Sequence, residues 1–143
     1  MSDFRSEIDP ADLMRRGEGR LPGFIGIEVV AVEPRRISVR LPLRPEHLAP
    51  NGFLHGATVV ALADTACGYG ALAHLPAGAT NFTTVELKTN YFGTVREGAV
   101  LCDATPVHLG RSTQVWDAEV RSEVNAQRLA LFRCTQMILW PKG

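Results

Sequence analysis

Residues Ala57 to Ala73 read Ala-Thr-Val-Val-Ala-Leu-Ala-Asp-Thr-Ala-Cys-Gly-Tyr-Gly-Ala-Leu-Ala, a nearly continuous run of small and aliphatic residues holding a single carboxylate, Asp64. A helix that is apolar almost all round has no face to give to water and must be wrapped by other structure. An acid inside it is costly unless it is paired or neutralised. Burial of this kind raises a carboxyl pKa, which suits proton transfer or hydrolysis near neutral pH. Asp64 is therefore the first candidate for chemistry. The alternative is a structural acid tied to a backbone group or a cation.

What flanks this helix is strand-like. Ile27 to Val32 and Arg36 to Leu43 are rich in β-branched and aliphatic residues, with Pro34-Arg35 as the turn between them. Ile37-Ser38-Val39-Arg40-Leu41 alternates cleanly, so that strand has one wet face. After the helix, a Gly/Pro-rich break at Pro76 to Gly78 leads into Asn81 to Phe92. Then come Ala99 to Leu109, Ser112 to Ser122 and Arg128 to Leu139, joined by turns at Gly93 to Gly98, Gly110-Arg111 and Val124 to Gln127. Ahead of all this, Asp9 and Pro10 read as N-cap and first residue of a short helix, and Gly17, Gly19, Pro22 and Gly23 then break the chain. The order is that of an α+β domain with a largely antiparallel sheet, which must curl around the one long helix. With no repeat and no internal linker, residues 1–143 are expected to form one domain with 1–22 as a peripheral segment.

Several classes of function are disfavoured. Lys plus Arg and Asp plus Glu number 15 each, so nothing global points to nucleic acid or to a membrane surface. The apolar run falls short of the roughly 20 residues of a membrane span. The polar, acidic N-terminus is unlike a signal or transit peptide, and Cys67, Cys102 and Cys134 read as free thiols of a cytoplasmic protein. His47, His55, His74 and His108 have no metal-ligand spacing, so no metal is expected. A serine nucleophile elbow and a phosphate loop are both absent.

Asn51-Gly52-Phe53-Leu54-His55-Gly56-Ala57 followed by Leu62-Ala63-Asp64-Thr65-Ala66 resembles the signature of the hotdog-fold acyl-CoA thioesterases, nearest the phenylacetate-pathway (PaaI-like) subfamily. The likeness runs from about Gly23 to Leu139. It implies an antiparallel sheet of five or six strands wrapped around one central helix, a homodimer or dimer of dimers, and hydrolysis of an acyl-CoA thioester with no cofactor beyond the coenzyme A of the substrate. The physics of the motif agrees. Gly56 stands at a helix N-terminus, where unpaired N–H groups and the positive dipole end gather, so its N–H suits a developing oxyanion. Asp64 lies roughly 12 Å further along the axis, too far for both groups to serve one carbonyl from a single chain. The resemblance supplies the answer: a site shared between subunits, the helix start of one facing the acid of the other. Asp64 would act as base on water or as direct nucleophile.

The remaining candidates carry competing readings. His55 either polarises the thioester or holds the helix entry. Where relatives carry Asn or Gln six residues before the histidine, this chain has Ala49; Asn51 either supplies the amide from a reshaped loop or is simply the turn residue of Pro50-Asn51-Gly52. Gly68 replaces a hydroxyl residue of relatives, and Thr84, beside Val85, aligns where some place one. Gly110-Arg111-Ser112 matches the family's Gly-Arg turn near the coenzyme A phosphates, a role that the planar arginine fork suits, with Lys88 and Arg96 as weaker candidates. A non-catalytic acyl-CoA binding module and a hotdog hydratase/dehydratase are the alternatives to hydrolysis.

Overall fold

The computed structural model describes residues 3–143. Six strands, β1 (Glu28–Glu33), β2 (Arg36–Pro42), β3 (Asn81–Tyr91), β4 (Ala99–Leu109), β5 (Thr113–Ser122) and β6 (Arg128–Leu139), form one antiparallel sheet in the order β1-β2-β4-β5-β6-β3. The long helix, α3 (Gly56–Ala73), is held in the concave face, giving the hotdog arrangement that the thioesterase resemblance implied.

The pairing follows from the residue pattern. β5 alternates buried and half-buried positions along its whole length, which gives the sheet one dry face. From that face Trp116, Ala118 and Val120 meet Leu62, Ala63, Ala66 and Cys67 of α3. Small residues on the helix let the sheet close tightly over it. By length and composition α3 could cross a membrane, at 18 residues and mean hydropathy 1.2, but half of it is buried in this packing as the core helix of the domain.

The N-terminal segment packs two side chains, Ile8 and Leu13, into the core. Helix α1 (Pro10–Gly17) has the cap read from the sequence, with the Asp9 carboxylate accepting from the Asp12 N–H at 2.8 Å. The chain does not simply break after it. Helix α2 (Leu21–Ile25) carries Pro22 in its first turn, where a missing N–H costs nothing, and ends on Gly26 in the left-handed region at φ 89°. Pro45–His47 likewise forms a 3₁₀ turn within what reads as a loop.

β3 differs from the other strands. It lies at the sheet edge, is exposed along most of its 11 residues, and carries exposed Val85, Leu87 and Tyr91. Its register against β6 shifts between Thr84 and Glu86, so Val85 is a bulge that separates Thr84 from the rest of the strand.

Candidate active site

The first centre is built around Asp64. It sits mid-helix on the face of α3 turned toward β3, half-buried, and its Oδ1 is buried without a hydrogen-bond partner among the described residues. Burial raises its pKa above the ordinary carboxylate value. Beside it is a cavity of about 410 Å³ between α3, β3 and the N-terminal helices, with Gly68, Tyr69, Phe82 and Thr84 in its wall and Arg16 at its rim. Gly68 allows the Phe82 ring to lie against the helix: a Cβ there would come within 3.2 Å of Phe82 Cζ. A larger hollow of about 560 Å³ lies elsewhere, lined by Asp103, Asp117, Arg121 and Arg133 among others, but Asp103 is already paired with Arg121 and Asp117 with Arg133. The smaller cavity holds the unsatisfied carboxylate and is the chemically significant one.

Thr84 shares that cavity with Asp64. Its hydroxyl donates to Oε1 of the fully buried Gln136 at 2.7 Å, which leaves the Thr84 oxygen able to accept but not to donate toward the cavity. Gln136 escapes a sequence reading, since nothing local sets it apart from other strand residues. Val85, exposed on its bulge, is outside the cavity wall. Cys67, close to Asp64 in sequence, is a buried core thiol whose pKa burial pushes up, which suppresses the thiolate a nucleophile needs.

The second centre is the start of α3. His55 is the N-cap, its Nδ1 accepting from the Ala57 N–H at 2.9 Å. In the neutral ring the proton is then on Nε2, which becomes a donor directed away from the helix. His55 N–H donates to the His47 carbonyl at 3.1 Å, and Thr58 Oγ1 donates to the same carbonyl at 2.8 Å. Among the described residues the Gly56 N–H has no acceptor, one of the orphan donors of a helix N-terminus. Buried His47 anchors the approach: it accepts from the Arg44 N–H at 2.9 Å on Nδ1 and reaches the Ile25 carbonyl at 2.6 Å through Nε2.

Among the described residues the other candidates make no hydrogen bond to Asp64, His55 or Gly56. Asn51 is exposed, and its Oδ1 accepts from the Phe53 N–H at 3.2 Å, closing its own turn. Gly110, Arg111 and Ser112 form the β4–β5 turn, with Gly110 N–H donating to Thr113 O at 2.9 Å. The Arg111 guanidinium stacks on Trp140 at 4.2 Å, and the indole N–H donates to Arg111 O at 3.2 Å. Arg96 stacks on Phe53 at 4.0 Å. Among the described residues no group of three or more His, Cys, Asp or Glu could hold a metal ion.

Comparison with known proteins places this arrangement. The thioesterase superfamily model matches residues 51–128, the span from the Asn51 turn to the start of β6. A 1,4-dihydroxy-2-naphthoyl-CoA hydrolase of Listeria monocytogenes is 34% identical over 111 residues, which are 78% of this chain and 89% of that protein. A crystallised thioesterase of Haemophilus influenzae superposes with a TM-score of 0.89 at 27% identity, covering 95% of this chain and 94% of that one. The PaaI protein of the Escherichia coli phenylacetic acid degradation operon shares the fold, with a TM-score of 0.80 at 20% identity over 91% of each chain. A buried acid and an open helix N-terminus on this scaffold, together with these relatives, identify the chain as a member of the thioesterase superfamily, a hotdog-fold thioester hydrolase.

Proposed function

We propose that the protein hydrolyses an acyl-CoA thioester at a site shared between two subunits, with Asp64 of one and His55 and Gly56 of the other acting on a single carbonyl. The observation that carries this reading is the buried, partnerless Asp64 Oδ1 beside a cavity. A carboxylate left unsatisfied in a dry place is costly, and use in chemistry is the reason to keep it. The thioester carbonyl accepts from the Gly56 N–H and from His55 Nε2–H, which stabilise the oxyanion as it forms. Asp64 takes a proton from water, whose oxygen adds to the carbonyl, or adds to that carbonyl itself to give a mixed anhydride that water then cleaves. In either route the carbon–sulfur bond breaks and the coenzyme A thiolate leaves and is protonated.

Edge strand β3 supports the shared site. An 11-residue edge with exposed Val85 and Leu87 invites pairing with a second strand. Antiparallel pairing of β3 with its copy across a two-fold axis would turn the partner's helix start toward Asp64. The flat wall of Phe82 over Gly68 suits an aromatic acyl group, as does the aroyl thioester in the Listeria relative's name. Asn51, Thr84 with Val85, and the Gly110-Arg111-Ser112 turn are proposed as auxiliary contacts to the acyl and coenzyme A portions. No cofactor enters the scheme.

A panel of aroyl- and alkanoyl-CoA thioesters with thiol detection tests the proposal. Asp64→Ala is expected to lower the chemical step at least about 100-fold, the scale of a lost general base. Turnover undiminished in that variant would remove Asp64 from the reaction.

A further inference from the structure

We infer that Tyr91, at the end of β3, is a positioning residue for the oxyanion hole; the inference rests on the reading of Gly56 given above. The Tyr91 ring lies across the entry of α3, and its hydroxyl donates to the Gly56 carbonyl at 2.9 Å. Position 56 leaves little room for a side chain: an ideal Cβ there would stand 3.0 Å from the Tyr91 oxygen and 3.2 Å from Cζ, so the ring would have to shift. Gly56 thus makes room for a neighbour within its own chain as well as for a ligand.

The consequence is a clamp on one peptide. The Gly56–Ala57 unit is held at its carbonyl by Tyr91 and at its N–H by His55 Nδ1 at 2.9 Å. The preceding His55 N–H is tied to His47 O at 3.1 Å. Glycine has the widest backbone freedom of any residue, and a helix frays first at its ends. The Gly56 N–H lies on the neighbouring His55–Gly56 peptide, whose carbonyl accepts from the Thr58 N–H at 3.0 Å, and its direction is narrowed by these restraints on either side. With them, the single donor left unpaired has a fixed aim before charge develops on the substrate, which is what makes such a donor effective. Tyr91 itself touches neither the acid nor the cavity beside it.

Tyr91→Phe keeps the ring and removes only the hydroxyl, so it tests the clamp without unpacking the strand. The expected result is a kcat about tenfold lower, less than the roughly 100-fold or greater cost of deleting an oxyanion donor outright. KM should stay within about twofold and the unfolding midpoint unchanged, consistent with loss of an interaction that matters only in the transition state. The ¹³C resonance of the Gly56 carbonyl should move while that of Gly70 stays. A wild-type kcat in the variant, a loss confined to KM, or an unmoved Gly56 resonance would each overturn the inference while leaving the thioesterase reading intact. A wild-type protein inactive on every acyl-CoA would sink both.

Discussion

Helix α3 carries a histidine at each end, and the two are used in opposite ways. His55 is exposed and caps the first turn, yet the neighbouring Gly56 N–H has no partner among the described residues. His74 is only 2% exposed and every polar group around it is engaged. Its Nδ1–H donates to Gly70 O at 2.8 Å, and its Nε2 accepts from the Arg35 N–H at 2.9 Å. Its carbonyl accepts from Gln114 Nε2 at 2.8 Å, and Gln114 Oε1 accepts from the Trp116 indole at 2.8 Å. Phe4 and Trp116 stand at 5.2 Å on the ring, and Arg5 N–H caps Ala73 O at 2.9 Å. A fully satisfied polar network in a dry place fixes one arrangement. An orphan donor at the positive end of a helix is free to bind an anion. One element is thus anchored at its C-terminus so that its N-terminus can be left incomplete.

Two glycine substitutions press on this difference most directly. Gly70→Ala would drive a Cβ to 2.6 Å from Cη2 and Cζ3 of Trp116. Trp116 is fully buried and hydrogen-bonded, so it cannot swing aside. The expected cost is about 3 kcal/mol, at the upper end of ordinary overpacking, read as a fall in urea midpoint with kcat per folded molecule retained. Gly56→Ala, in contrast, meets the tip of Tyr91, a half-exposed side chain with room to move. Its stability should change by less than about 1 kcal/mol, while kcat falls on the order of tenfold or more as the adjacent donor is displaced. The reverse outcome, an unfolded Gly56→Ala protein or an unperturbed Gly70→Ala one, would break the assignment of anchoring to one end and function to the other.

The same contrast separates what could be read from the sequence from what could not. The limits of β4 and β6 and the span of α3 are written in local alternation, turn residues and caps, and they match Ala99–Leu109, Arg128–Leu139 and Gly56–Ala73, while the capped α1 starts at Pro10 as read but takes in Gly17, which reads as a break. Asp64 is conspicuous because a carboxylate in an apolar run has no local explanation. The clamp on Gly56 and the lock on His74 are invisible locally: Tyr91 is 35 residues from Gly56, and Gln114 is 40 from His74. Their chemistry depends on which strand faces which helical turn. Helix α2 was hidden for a different reason, because Pro and Gly read as breakers when they also open and close short helices. Arg111 was legible as a turn residue, but its stacking on Trp140 at 4.2 Å is a tertiary fact.

Acid pH distinguishes the two ends more gently. Burial is the main cause lowering the His74 pKa from 6.5, followed by the Gly70 hydrogen bond, which raises it, and the Arg35 charge, which lowers it. The direction has a structural basis, because a protonated ring would turn Nε2 into a donor facing the Arg35 N–H. With the folded value depressed, the unfolded chain binds the proton more readily. His74 therefore contributes full stability above pH 6.5 and loses it as the pH falls from there through the lower, folded pKa. For a single proton the slope is at most about 1.4 kcal/mol per pH unit. His74→Gln removes that titration, so stability measured by urea unfolding, wild type minus variant, should be flat above pH 7 and decline below pH 6.5. The raised pKa of Asp64 has the opposite sign and cancels in this difference. A difference that stays constant down to pH 5 would mean that the C-terminal lock tolerates an imidazolium, and that its rigidity comes from packing by Trp116 and Phe4 rather than from the neutral ring.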